Sequence, residues 1–384
     1  MSQTLEEMRM RQVIDGTQQM DAGAGPAGPV LAPDRMADST LGDLEAMRLL
    51  LHGSSVIDWQ QLSFQDMTEV NRFLRVNEFD PESAEDLDRL EELRSEAVEY
   101  LSRHFGYRIP EDIAEGVSAQ ELLLIASRRA RHQTYACIVL KVMLVLHHLD
   151  GRERLIRMPV SDVQLFGLVE SKVVQIVDEL RGQGLPIVEF AWSRKERDSL
   201  ITKLLAKRDS IAAHVYDKLR FRLITRRHED LAPVLRALAN RLVPFNLIMP
   251  GQSVNRLLPF SRIFTDFPSL RRFQAELQPG EDINLGETAE NSFSADSFRV
   301  INFVADIPLR VSAVLRHLNL PVEETDQFDP GGVIFVLTEF QVMDAATSVT
   351  NEQGESSHEA YKERQHIEVK ARLTRGMKAR PQKG

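Results

Sequence analysis

Three groups of residues have the types and spacings that phosphate chemistry uses. Lys195, Ser199 and Lys203 recur every four residues behind Ser193-Arg-Lys-Glu196, a Ser-x-x-Glu pattern that predicts a helix start. On such a helix two ammonium groups and a hydroxyl share one stripe near the positive end of the helix dipole, a setting for a polyphosphate. The run Leu219-Arg-Phe-Arg-Leu-Ile224 alternates apolar and basic residues. That is the period of a half-buried strand, with Leu219, Phe221 and Leu223 toward a core and Arg220 and Arg222 opposite. Asp217 stands at the entrance of this strand, where one carboxylate can take a hard cation. Strand parity puts Asp217 on the apolar side, so cation binding there requires a bend, and a surface acid paired with a base is the plainer alternative. Glu339 and Gln341 lie two residues apart in the apolar run Val333 to Met343, hence on one strand face. A carboxylate in such a run is costly unless it is paired or binds a metal. Downstream, Glu352-Gln-Gly354 precedes His358, Tyr361 and Lys362, which at i, i+3 and i+4 share one helix face.

These residues need elements to carry them. From about residue 41 to 190 the pattern is helical, with Leu87, Leu90, Leu93, Ala97 and Leu101 at steps of three and four. Leu122 to Ala130, Cys137 to His148 and Val169 to Leu180 read as further helices. After about 190, strands and helices mix: Leu219 to Ile224, Phe245 to Met249, Ser297 to Ile307 and Val333 to Met343 are expected strands. His228 to Val243 and Ser357 to Leu373 are expected helices. The organisation expected is a disordered arm over 1–40, rich in Gly, Ala and Pro, a helical domain over 41–190, an α/β domain over 191–375 and a basic tail over 376–384. The fold class is α+β, an all-helical domain followed by a mixed-sheet domain. From Arg194 to Arg227 there are eleven Lys or Arg residues against four acids, a local concentration of positive charge that suits an anion.

In this order the three groups resemble the synthetase domain of RelA/SpoT-type alarmone enzymes, over roughly 194–373. The family's Lys-x-x-x-Ser-x-x-x-Lys is matched by Lys195, Ser199 and Lys203, and its Asp-x-x-Gly-x-Arg-Val by Asp217, Arg222 and Leu223. Its Glu-x-Gln and Glu-x-Gly-x-x-x-His-x-x-Tyr-Lys are matched by Glu339, Gln341, Glu352, Gly354, His358, Tyr361 and Lys362. The resemblance implies a nucleotidyltransferase-like fold and a pyrophosphokinase. Such an enzyme moves the β,γ-diphosphate of ATP to a 3′-hydroxyl of a nucleotide or, as a candidate acceptor, an RNA end. It implies that Lys195, Ser199, Lys203, Arg222 and Gln341 hold ATP and that Asp217 and Glu339 hold Mg²⁺. Glu339 would accept the attacking hydroxyl's proton, and His358 and Lys362 would neutralise the moving charge. The acceptor-binding Tyr-x-Ser-x-His is represented by Phe298 and Asn302, with Tyr361 also assigned to the acceptor. The sequence departs from the family where Arg220 replaces glycine and Met343 stands where arginine usually follows Glu-x-Gln.

Other chemistry is poorly represented. There is no Gly-x-x-x-x-Gly-Lys-Ser/Thr run and no Gly-x-Ser-x-Gly elbow. His132, His147, His148 and Asp150 lack the adjacent His-Asp pair of a metal phosphohydrolase, so a hydrogen-bonded histidine ending a core helix is expected. The single cysteine, Cys137, excludes a disulfide framework and multi-thiolate zinc sites. With 47 Lys and Arg against 57 Asp and Glu, the net charge of −10 argues against coating DNA or an anionic membrane. The longest apolar run, Tyr135 to Leu146, is interrupted by Lys141 and is too short to span a bilayer, so a cytoplasmic protein is expected. Two alternatives to an enzyme are a nucleotide-sensing module without turnover and a scaffold whose helical half binds an unidentified protein partner.

Overall fold

A computed structural model describes residues 34–53, 62–129, 131–206, 218–277, 297–318, 328–354 and 358–374. Asp217, the arm up to residue 33 and the basic tail lie outside these residues. The seven described helices before the first strand are α1 (Leu41–His52), α2 (Met67–Val76), α3 (Ala84–Phe105), α4 (Glu111–Ala114), α5 (Ala119–Ser127), α6 (Gln133–Arg157) and α7 (Asp162–Gly182). Their ends follow local chemistry. Thr40 and Asp43 form a reciprocal capping box on α1, and Gly53 closes that helix at φ 64°, a conformation only glycine adopts cheaply. Ser118 with Glu121, and Ser161 with Gln164, cap α5 and α7 in the same reciprocal way.

The sheet has five strands: β1 (Ile187–Arg194), β2 (Leu219–Thr225), β3 (Val254–Asn255), β4 (Ile301–Arg310) and β5 (Val333–Asp344). Their spatial order is β1-β2-β5-β4-β3, with β2 and β5 parallel and every other neighbouring pair antiparallel. The fold is therefore α+β with a mixed sheet, as expected. One sheet face is a dry core. Phe190, Phe221, Phe340 and Phe303 stack in sequence across β1, β2, β5 and β4, with ring centroids 5.9, 5.6 and 5.3 Å apart. Offset stacks of this kind stabilise beyond the area they bury.

The remaining helices are α8 (Arg197–Ala206), α9 (Leu231–Arg241), α10 (Phe260–Asp266), α11 (Gln274–Leu277), α12 (Val311–Leu318), α13 (Ala345–Asn351) and α14 (His358–Thr374). Apolar packing does not divide at residue 190. Met36 and Leu44, Met47 and Leu50 of α1, and Leu165, Val169, Val173 and Val177 of α7 belong to the same cluster as the sheet strands and α9. The separate helical cluster runs from Leu62 to Met143. The expectation of disorder to residue 40 fails for its last residues: Met36 is completely buried and Arg35 pairs with Asp230 at 3.4 Å. Apolar content decides this, because a single Met finds a socket that the Gly/Pro composition did not disclose. Phe245 to Met249 is not a strand; Phe245–Leu247 is a 3-10 turn, and only Ile248 bridges to Ala305.

The helix α6 joins the two clusters. Ala136, Val139, Leu140 and Met143 pack in the helical cluster, and its C-terminal half lies along β5. At 25 residues the whole helix is long and apolar enough to cross a membrane by length and composition, a test that a core helix also passes, and its apolar run packs as the buried helix expected. A Cβ built at Gly151 would lie 2.2 Å from a ring carbon of Phe335, so close approach of α6 to β5 requires glycine there. Asp306 of β4, with no exposed surface, accepts from Arg152 at 2.7 and 2.9 Å and lies 2.7 Å from His148 Nε2. Asp86 of α3 binds Arg310 of β4 at 2.6 Å, and Lys172 of α7 binds Glu78 at 2.6 Å.

Candidate nucleotide site on the open face of the sheet

The strand register decides which polar side chains meet. Arg220 is opposite Glu339 and Arg222 is opposite Gln341 across the parallel β2–β5 pair. Asn302 is opposite Gln341 across β4–β5. Side chains opposite one another point to the same face, so Arg220, Arg222, Glu339, Gln341 and Asn302 share one face, away from the phenylalanine stack. At one end of this face Ile224, Val300 and Met343 form a small buried apolar cluster, with the half-buried Phe298 packed against it. At the other end α6 lies over β5. The alternation in Leu219 to Ile224 and the spacing of Glu339 and Gln341 made these placements legible beforehand.

Glu339 is 6% exposed and Gln341 7%. Arg220 donates from Nε to the Glu339 carboxylate at 2.6 Å. The sequence placed Arg220 on the basic face of its strand and marked it as a departure from the family pattern; opposite register supplies its partner. The second guanidinium, Arg222, makes no hydrogen bond or ion pair to any described residue. Burial first, and Arg220 second, lower its pKa, against the opposing charges of Glu189, Glu352 and Glu339. Glu352 is thus close enough to be felt at Arg222. The side-chain oxygens of Asn302 and Gln341 are buried and have no hydrogen-bond partner among the described residues. A buried polar atom left unpaired costs about 1–3 kcal/mol, so two such oxygens side by side mark a place built for something else.

The helical part of the expected site is mounted separately. Ser193 is the penultimate residue of β1 and does not cap α8, which starts at Arg197. Lys195 therefore precedes the helix, with its backbone N–H donating to the Lys218 carbonyl at 2.9 Å, and does not extend the stripe of Ser199 and Lys203. Antiparallel pairing of β1 with β2 captured residues that the capping pattern had assigned to a helix. The helix α14 packs on α8, and Arg372 donates to the Leu205 carbonyl. Tyr361 is half-buried, with its hydroxyl accepting from Gln365 at 2.9 Å, and Lys362 is exposed. His358 begins this helix. The positive run from Arg194 to Arg227 is partly neutralised at home: Arg194 binds Glu170 at 2.6 Å, Lys218 binds Asp162 at 2.9 Å, and Arg220 binds Glu339.

None of the described residues form a group of three or more His, Cys, Asp or Glu placed to hold a metal, and the Glu339 carboxylate already engages a guanidinium. The other proposed ligand, Asp217, lies outside the described residues. The hydrogen-bonded histidine expected on this helix is His148, whose Nε2 lies 2.7 Å from Asp306, whereas His147 is buried between Phe79 and Phe335 and its Nε2 has no partner among the described residues. Burial, helped by Arg154 and His148, holds its pKa down to about 3.

No protein-family model and no curated protein matches the sequence. Among solved structures, the chain is similar to a GTP pyrophosphokinase family protein from Streptococcus pneumoniae, at 16% identity over 55% of this chain and 84% of that one, with a TM-score of 0.29. It is also similar to the small alarmone synthetase 1 from Bacillus subtilis. In complex with its product pppGpp that protein is 17% identical, over 55% of this chain and 86% of that one, with a TM-score of 0.28. In complex with AMPCPP the values are 16%, 58%, 91% and 0.27.

Proposed function

We infer that the open face of the sheet binds a nucleotide polyphosphate, and that the protein is a pyrophosphokinase-type diphosphotransferase of the cytoplasm. The observation that carries this reading is the row of Arg222, Gln341 and Asn302 beside Glu339, an unpaired cation and two unpaired acceptors next to a carboxylate. Arg222 would hold phosphate charge in a poorly solvated place, where each interaction is stronger than in water. Lys195, Ser199 and Lys203 would contact the donor triphosphate, and His358 and Lys362 of α14 would stabilise charge as the diphosphate moves. In the reaction, an acceptor 3′-oxygen attacks the β-phosphorus of ATP. A new P–O bond forms, the bond to the α-phosphate oxygen breaks, AMP leaves, and Glu339 takes the hydroxyl proton.

A second reading is favoured by the Arg220–Glu339 pair. A carboxylate engaged at 2.6 Å by a guanidinium is poorly placed to accept a proton, so the face would bind nucleotide and sense it without transfer. Incubation with γ-labelled ATP and a panel of nucleotide and RNA acceptors, resolved by thin-layer chromatography, separates the two. Labelled acceptor supports transfer, whereas calorimetric binding without labelled product supports sensing. Absence of both binding and product overturns the site.

A further inference from the structure

We propose that the outer face of α3 and the turn that follows it form a docking surface for an arginine- or lysine-rich segment of a partner protein. This surface lies on the helical part of the chain and is independent of the nucleotide reading. At the end of α3, Tyr100 is 40% exposed, Phe105 62% and Tyr107 43%. Their rings meet one another at the surface. Centroids are 5.8 Å apart for Tyr100 and Phe105 and 6.2 Å for Phe105 and Tyr107, with His104 4.8 Å from Tyr100. Gly106 closes the helix at φ 65°, and the turn it makes brings Tyr107 back beside Phe105. Rings held half in water gain nothing for folding, and an exposed apolar patch of about 300 Å² on a monomer marks a contact site.

The charge beside the rings selects the occupant. Glu85, Asp88, Glu92 and Glu96 recur at steps of three and four and lead by one more step of four to Tyr100, so acids and rings form one stripe. All four acids are exposed and pair with no described residue. Between Glu82 and Glu115 there are eleven acids against four arginines. Three of those arginines, Arg89, Arg94 and Arg103, are already held by Asp86, Glu91 and Glu99. Nucleic acid and anionic lipid are repelled by such a face. A second copy docked through the same face about a two-fold axis would set the acids against themselves. A basic segment satisfies both parts of the stripe. Its guanidinium or ammonium groups pair with the carboxylates and sit over the aromatic faces. From Glu85 to Tyr100 the stripe is about 23 Å long at 1.5 Å per residue, the length of about seven residues of extended chain.

Fluorescence anisotropy with the full chain tests the surface. The probes are a labelled peptide of alternating arginine and glycine, its counterpart with glutamine for arginine, and a labelled single-stranded RNA. The arginine peptide should bind the parent and weaken as salt screens the charges, and the glutamine peptide should not bind. Glu92→Lys with Glu96→Lys should weaken the arginine peptide at least about tenfold, and Tyr100→Ser with Phe105→Ser at least about threefold. Because the whole chain is acidic, Asp178→Lys with Glu229→Lys serves as a control at exposed acids off this face, and it should change affinity by less than about twofold. The substituted side chains face water, so melting temperatures should stay close to that of the parent. Failure of the arginine peptide to bind the parent overturns the surface. A control pair that weakens it as much as the α3 pair does the same, since it shows only general attraction to an acidic protein. A ring variant that binds like the parent, or one that melts much earlier, also overturns it, because the rings then serve nothing or serve the fold. RNA bound in place of the arginine peptide, or self-association abolished by Glu92→Lys with Glu96→Lys, identifies another occupant and overturns a basic partner.

Discussion

At the scale of the residue, Arg220 and Glu339 decide how the face behaves. Glu339→Gln removes the charge but leaves the guanidinium of Arg220, whose side chain is 32% exposed, facing a neutral amide. The expected stability loss is about 1–3 kcal/mol in urea unfolding, less than for a fully buried pair because Arg220 can turn toward water. The same variant should lower any diphosphate transfer by at least about 10²-fold, the usual effect of losing an acid–base group. Arg220→Gly releases the carboxylate. Transfer rate measured with labelled ATP should rise in this variant if Arg220 holds the site shut, and stay flat if Glu339 is not the proton acceptor.

At the scale of the element, α6 is the part most sensitive to small changes. Gly151→Ala would put a methyl group against Phe335 and the Val333 carbonyl, and the helix must shift to make room. Urea unfolding should show a loss of about 1–3 kcal/mol, the usual cost of overpacking. The same helix carries an acid-sensitive group. The pKa of His147 is about 3 in the folded protein and near 6.5 when unfolded. The unfolded chain therefore takes up the proton first as pH falls. Stability from the neutral buried ring is complete above about pH 6.5 and declines toward pH 3, at no more than about 1.4 kcal/mol per pH unit. His147→Phe should flatten the difference in unfolding free energy between pH 7 and pH 5 relative to the parent. The ring-lined pocket suits an aromatic replacement.

Much at this scale was legible in the sequence. The alternation of Leu219 to Ile224 and the spacing of Glu339 and Gln341 placed both strands and their faces, because period two admits only one inward set. The helix beginning at His358 was legible from its polar pattern. What was not legible depends on partners distant in the chain. Ser193 looks like a cap until β2 pairs with it, and Arg220 looks like a missing glycine until Glu339, 119 residues away, appears opposite it. The reach of α6 past His148 was missed because its last turns, through Asp150, Arg152 and Glu153, are polar in sequence yet ordered by contact with β4 and β5.

At the scale of the whole molecule, the sheet depends on helices from the other end of the chain. A fragment beginning at Ile187 retains every strand but lacks α1 and α7, whose Leu44, Met47, Val169 and Val173 complete the core over the phenylalanine stack. Such a fragment should show no cooperative thermal transition and should bind an exposed-hydrophobe dye, whereas a longer fragment beginning at residue 34 should melt cooperatively. A fragment of 187–384 that melts like the full chain would show that the sheet is an autonomous unit.

The burial of α1 against the sheet also has a consequence for synthesis. On the ribosome its apolar stripe emerges well before the sheet, whose last strand ends at Asp344. At about 5–20 residues per second the interval between residues 52 and 344 is roughly 15–60 s, long on the timescale of hydrophobic collapse. For that time Leu44, Met47 and Leu50 have only part of the surface they bury against in the folded protein, because α9, on which α1 packs, is complete at Arg241 and the last strand only at Asp344.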